Sequence, residues 1–291
     1  MKIKYRHYQQ VEDLELQTSI WLKATKNLPW AWKPNKTQYW YVRRSNFDPY
    51  SKLFAFDNDL PIGYMSCIRR DNFTPMGFPW ILDGYEGEIQ EYLFDTVYNH
   101  AVKEFKSRNF LQRFRKEWKY QIDFLERKNF HLERSNPIFI MELNKNKPFS
   151  LSSKYKVKIH NVLPELNFFK LVNNDPNYKN EEKNSMKSYL MDDLNIDFYL
   201  EVVKDSVPCA MISVTIREDT GYSEINLLTM DEKYPETINI ALESMINKLI
   251  SRNLKFLSMT VAPHSKEINL LENYGFKLRS ESVFYSKQIS K

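Results

Sequence analysis

The chain has 291 residues, 42% of them hydrophobic and 15% aromatic, enough to fill two cores of ordinary domain size. Its opening, MKIKYRHYQQ, lacks the apolar stretch of a signal peptide, and no uninterrupted apolar run is long enough to cross a bilayer, so a soluble, cytoplasmic protein is the default expectation. The formal charge of +5 is uneven: residues 1–147 carry 24 Lys and Arg against 18 Asp and Glu, the remainder 18 against 19, an excess that suits a solvated face or a phosphorylated ligand and falls short of a dedicated nucleic-acid domain.

Residues 1–8 read as a strand, and Val11–Thr25 has helical spacing with Leu14, Ile20 and Leu22 among its apolar positions. Asn27–Arg44 is broken by Pro29 and Pro34 and carries Trp30, Trp32, Tyr39, Trp40 and Tyr41. Such aromatics either hold an amine-bearing or apolar ligand by stacking and cation–π contact or pack as core and lid. Leu53–Phe56 and Ile62–Arg69 form a hairpin around Asp57–Pro61, and Trp80–Leu82 is the next strand. Residues 88–106 make a helix, with Ile89, Leu93, Val97, Ala101 and Phe105 spaced in fours. A strand (FLQRFRKEW), a short helix (YQIDFLERKNF) and a closing strand, IFIMEL (138–143), complete the half. Arg113, Arg115 and Lys116 interleave with aromatics in the first of these and suit either a strand with one wet face or a grip on phosphate.

Residues 144–153 are polar and read as a linker. A strand (154–162), a helix (165–174), a polar loop running into another helix (177–194) and a hairpin (200–213) follow. SEINLLTM (Ser223–Met230) is a strand, EKYPET (232–237) a turn, and Ile238, Ala241, Leu242, Met245, Ile246 and Leu249 fall on one helical face. Leu254–Ala262 is the next strand, and Lys266–Phe276 a short helix that Gly275 ends in the left-handed conformation. SVFYSKQ (282–288) closes the second sheet as IFIMEL closes the first. Cys67 and Cys209 fall in apolar strand patterns, so buried free thiols are expected rather than a disulfide or a metal site.

The halves repeat. Asn129-Phe130 and Gly275-Phe276 stand 146 residues apart, and Pro61 and Pro208, each in its hairpin, 147 apart. The strand, helix, strand, helix order ending in Asn-Tyr-Gly-Phe resembles the second half of a GCN5-related N-acetyltransferase (GNAT) domain. The resemblance implies an α/β fold with mixed sheets, as two tandem GNAT-like acyl-CoA N-acyltransferase domains, residues 1–147 and 148–291.

In that family the loop before the main helix, of the form R/Q-x-x-G-x-G/A, holds the CoA pyrophosphate on main-chain N–H groups at a helix N-terminus. Matched by length it falls on Tyr85–Gln90 and on Tyr234–Asn239, and neither keeps the glycine pair. The first loop sets Glu86 and Glu88 beside the phosphate position; the second offers Lys233, Thr237 and Asn239, of which Thr237 and Asn239 equally suit helix capping. The implied acetyl-CoA site is therefore that of the second half: Leu228, Thr229 and Met230 at the strand's end, Lys233, Tyr234, Thr237, Ile238 and Asn239 on the loop and helix, and His264 where the family often has an asparagine. Trp118 takes that place in the first half, and the tyrosine acid of many members falls on Leu125 and Leu271.

Glu224 stands where histone-type members carry a glutamate base, though on an alternating strand it can equally face solvent; Asp83 is its weaker counterpart. Trp30, Trp32 and Trp40 correspond to the acceptor pocket. The reading is an N-acetyltransferase moving an acetyl group from acetyl-CoA to an amine, with one domain degenerate. Its alternatives are a catalytically silent tandem binding or regulatory protein and an aminoacyl-tRNA-dependent transferase, which also consists of two such domains. The five histidines show no paired metal spacing, and no G-x-S-x-G motif occurs.

Overall fold

The computed structural model describes residues 2–31, 41–70, 73–145, 148–149, 154–174 and 196–289; Trp32, Trp40 and the loop and helix of 177–194 lie outside them. Among the described residues the chain divides into two compact units, one of residues 2–136 with 280–289 and one of residues 137–279. No described helix is long and apolar enough to cross a membrane.

The first unit contains β1 (Ile3–His7), α1 (Glu12–Ala24), β2 (Lys52–Asp57), β3 (Leu60–Ser66), β4 (Thr74–Pro75), β5 (Trp80–Ile81), α2 (Glu88–Lys103), β6 (Asn109–Arg115) and α3 (Lys119–Arg127). β1, β2, β3 and β5 make an antiparallel sheet in that order, while β6 pairs in parallel with β4. The strand expected at Trp80–Leu82 is thus one piece of a broken edge: Thr74–Pro75 goes to β6, and Trp80–Ile81 goes to β3. Gly77 allows the break, because a Cβ there would lie 2.5 Å from the Ser66 carbonyl oxygen that its own N–H meets at 2.7 Å.

The second unit holds β8 (Lys156–His160), α4 (Glu165–Asn174), β9 (Phe198–Lys204), β10 (Val207–Arg217), β11 (Tyr222–Met230), α5 (Thr237–Ser251), β12 (Phe256–Thr260) and α6 (Glu267–Asn273). β11 and β12 are parallel, while β8, β9, β10 and β11 pair antiparallel with one another in that order. The predicted face of α5 is the buried one, with Ala241, Leu242, Met245, Ile246 and Leu249 sealed in the core. Phe149, within the stretch read as a linker, is held at both main-chain groups by Asn247 of α5, N–H to Oδ1 at 2.7 Å and Nδ2 to the carbonyl at 2.9 Å.

The closing strands depart from the sequence pattern. IFIMEL belongs to β7 (His131–Glu142), whose residues Ile138–Glu142 pair antiparallel with β12 of the second unit. SVFYSKQ, in β13 (Lys277–Gln288), pairs with Asn109–Arg115 of the first unit instead of closing the second sheet. β7 is twelve residues of unbroken strand, and its run carries Phe139 and Met141 into the second core. The chain's last strand satisfies the edge that β6 presents.

The repeat survives at the ends of α3 and α6. Asn129 (φ 60°) and Gly275 (φ 86°) are left-handed. Phe130 N–H meets the Leu125 carbonyl and Phe276 N–H the Leu271 carbonyl, each at 3.0 Å, while Asn129 and Gly275 donate to Glu126 and Glu272, each at 2.9 Å. Both are the two-bond left-handed helix stop, sealed by a buried Leu–Phe pair. Nothing stands within 4 Å of a Cβ at Gly275, so Gly275→Ala costs backbone strain alone, about 1 kcal/mol by urea unfolding, whereas Asn129→Gly stays within about 1 kcal/mol of the parent.

Candidate functional site

In the second unit the parallel register runs from Tyr222–Ile225 opposite Phe256–Met259, while β11 continues along β10 to Met230. The break coincides with a bulge: Ser213 faces Leu227 and Val214 faces Ile225, so Asn226 is the extra residue. Asn226 is exposed, and its amide donates to the Thr215 hydroxyl. Beyond the bulge, Leu228 and Thr229 are buried and Met230 half-buried, opposite Ile212, Met211 and Ala210. The C-terminal ends of diverging parallel strands, facing a helix N-terminus, are where open α/β sheets receive ligands.

That helix is α5. Thr237, fully buried at its start, directs its hydroxyl to the carbonyls of Tyr234 (2.7 Å) and Cys209 (3.2 Å). It clamps the loop to β10; with the Thr237 N–H also donated to the Tyr234 carbonyl at 3.0 Å, the N–H groups of Ile238 and Asn239 are the first-turn donors a phosphate would meet. Ile238 and Asn239 follow half-buried in the first turn. Three lysines surround this terminus. Lys233 is exposed on the loop; Lys204 Nζ lies 5.2 Å from the Tyr234 ring centre; Lys154 Nζ lies 3.7 Å from Glu236 Oε1. Of the loop's three carboxylates, Asp231 accepts the Lys233 N–H at 3.0 Å, Glu236 accepts the Tyr155 hydroxyl, and Glu232 is exposed.

Glu224 is half-buried beside Ser258, in the part of β11 still paired with β12, and its Oε1 accepts the Thr260 hydroxyl at 3.0 Å. His264 is exposed, in a left-handed conformation (φ 65°) ahead of α6. Leu125 and Leu271 are sealed in the two cores.

In the first unit a cavity of about 220 Å³ lies beside the broken edge. Phe78, Trp80, Gln90 and Gln121 form its buried wall; Lys23, Asp83, Glu86 and Tyr120 form its exposed rim. Gln90 donates to the Pro79 carbonyl (3.0 Å) and accepts the Tyr120 hydroxyl (2.5 Å). Burial first, then the Glu86 carboxylate, raises the Tyr120 phenol above its usual range and keeps it a donor. The loop before α2 turns on Gly84 (φ 89°) and Gly87 (φ 83°), and Glu86 Oε2 occupies the Gly84 N–H at 2.9 Å.

Of the tryptophans assigned to an acceptor pocket, Trp30 alone is described. It is half-buried and does not line the cavity; its carbonyl accepts Arg115 Nε at 3.2 Å, and the Pro29 carbonyl accepts Trp118 Nε1 at 2.7 Å. The lining tryptophan is Trp80, packed edge-on to Trp21 and Trp118. Sequence reasoning named Asp83, Glu86 and, at the end of the first loop, Gln90, but missed Tyr120 and Gln121, whose one legible signal is their place in the first turn of α3.

Thr237→Val keeps the shape and removes the clamp, so it lowers stability by about 1–3 kcal/mol in urea unfolding, and Thr237→Ser restores most of it.

No family model matches the sequence, and no curated protein matches it. Solved structures do. A tandem GNAT protein from the clavulanic acid biosynthesis pathway superposes with a TM-score of 0.73 at 9% identity, covering 100% of this chain and 99% of that one. A GCN5-related N-acetyltransferase from Sphaerobacter thermophilus (TM-score 0.58, 11% identity, 99% and 96% covered) and a putative acetyltransferase from Pyrococcus horikoshii (0.58, 14%, 99% and 90%) are similar over nearly their whole lengths. The chain has the fold of a tandem GNAT protein.

Proposed function

We propose that the chain is an acyl-CoA-dependent N-acyltransferase, with acetyl-CoA as donor and an amine as acceptor, and that the second unit holds the donor. The observation that carries this reading is the charge around two equivalent helix starts. α5 begins among Lys154, Lys204 and Lys233, which offset Asp231, Glu232 and Glu236 on its loop, whereas α2 begins among Asp83, Glu86, Glu88 and Glu91, of which Glu91 is paired with Lys128. A pyrophosphate meets less negative charge at the first than at the second.

On this reading the main-chain N–H groups of Ile238 and Asn239 and the three lysines hold the phosphates, the Thr237 N–H being already donated to the Tyr234 carbonyl at 3.0 Å. The thioester arm runs into the divergence of β11 and β12, past Leu228, Thr229 and Met230. Glu224, steadied by Thr260, takes the proton of the ammonium acceptor directly or through a water. The departing thiolate belongs to a thiol with a pKa near 8.5 and leaves with little acid help, which suits a buried leucine at position 271. The same leucine favours a second reading, a tandem fold that binds acyl-CoA without turning it over.

Calorimetric titration with acetyl-CoA tests the donor site. Charge reversal at Lys154, Lys204 and Lys233 together is expected to weaken binding by about tenfold or more, and added salt to weaken the parent similarly. Unchanged affinity in the triple variant overturns the assignment to the second unit. Thiol release with a panel of amines separates the two readings: release that falls strongly in Glu224→Gln supports catalysis, and donor binding without release supports the silent one.

A further inference from the structure

We propose that the first unit binds the phosphate backbone of a nucleic acid on a patch of cations at the C-terminal end of α2. This surface is separate from the acyl-CoA reading above and stands whether or not that reading does.

The positive excess of the first half is gathered at one place. Residues 41–48, 67–70, 73–76 and 103–109 hold seven Lys and Arg against two carboxylates, Asp48 and Glu104. Side-chain and main-chain contacts bring these segments together. The Arg44 N–H meets the Tyr41 carbonyl at 3.1 Å, and the hydroxyl of the buried Tyr41 accepts the Arg69 N–H at 3.3 Å. The Arg69 guanidinium lies 5.5 Å from the Phe105 ring centre, just past the end of α2, and that of Arg70 lies 5.6 Å from the Phe73 ring centre. The Thr74 and Ser107 hydroxyls bond at 2.5 Å. Burial first, and then the charge of Arg44, lowers the Arg70 pKa, so Arg44 stands beside Arg70. Arg44, Arg69, Arg70, Lys103, Lys106 and Arg108 thus share one end of the unit, and all but Arg70 are exposed.

Their charge has little to answer it. Among the described residues Arg69, Arg70, Lys103, Lys106 and Arg108 make no ion pair, and Asp48 is committed to His100 Nε2 at 2.7 Å and the Tyr50 N–H at 2.9 Å. Lys103 lies in the last turn of α2, where a cation offsets the helix dipole, but Arg44, Arg69 and Arg70 come from other segments and need another reason. Like charges held together repel, and a chain of phosphates relieves that repulsion at several points at once. Four of the six cations are arginines, whose forked donors match phosphate oxygens, and two of these rest against rings that limit their freedom. None of these segments exposes a large apolar side chain, which a membrane surface would take up. With 16 residues α2 is about 24 Å long, which separates the patch from the carboxylates at the start of that helix.

The test is fluorescence anisotropy on the whole chain with a labelled oligouridylate and a labelled DNA duplex, each about 20 units long. Binding of at least one, weakened about tenfold or more as salt rises from about 50 to 200 mM, is expected. Arg69→Gln, Lys106→Gln and Arg108→Gln together should weaken it about tenfold and flatten its log–log salt dependence by about two. Loss of three charges elsewhere in the unit, by Lys2→Gln, Lys4→Gln and Lys26→Gln, should change it by less than about threefold. All six residues are exposed, so both variants keep their packing, and acetyl-CoA titration should be the same in both. Equal weakening by the two variants reduces the effect to net charge and overturns the proposal. So do binding of neither nucleic acid at the lower salt, and binding of phosphatidylglycerol vesicles in preference to both.

Discussion

The parallel pairing of β11 with β12 stops at Ile225, and what the second unit can offer a ligand follows from that interruption. Asn226 adds one residue to β11, which re-aims the strand against β10 and frees it from the β12 register. Ladder hydrogen bonds would otherwise consume the main-chain groups that a ligand's amides need. Thr237 then fixes where the chain turns into α5, because its hydroxyl serves the Tyr234 and Cys209 carbonyls at once. On the proposed reading the α5 N-terminus, beyond the end of the β11–β12 ladder, is the anion site, where Lys154, Lys204 and Lys233 offset Asp231, Glu232 and Glu236.

The first unit builds the same order of elements and reaches a different chemistry. Its edge is broken at Gly77, and Phe78 and Trp80 just beyond the break line the cavity beside it. Its helix starts among carboxylates, and Glu86 itself occupies the Gly84 N–H.

Local patterns were legible in the sequence and long-range pairing was not. The α3 and α6 stops show why: Asn129 and Gly275 sit 146 residues apart in matching frames, and a left-handed stop depends on only six neighbouring residues. The exchange of β7 and β13 is decided by which edge each strand meets, and SVFYSKQ alternates in a way that satisfies either sheet. The site divides likewise. Lys233 and Thr237 lie on the loop and were readable, but Lys154 and Lys204 come from distant segments. Lys52, at the start of β2, is fully buried with Nζ 3.1 Å from Gln17 Oε1, and burial lowers its pKa to about 7, a feature no local pattern signals.

The central claim is that the second unit, and not the first, receives the acyl-CoA. Amide hydrogen exchange on the whole chain, with and without acetyl-CoA, tests it without altering a residue, since ligand contact slows exchange where main-chain N–H groups are engaged. Protection confined to residues 226–240 is the predicted result. Protection of residues 83–90, with 226–240 unaffected, would contradict it.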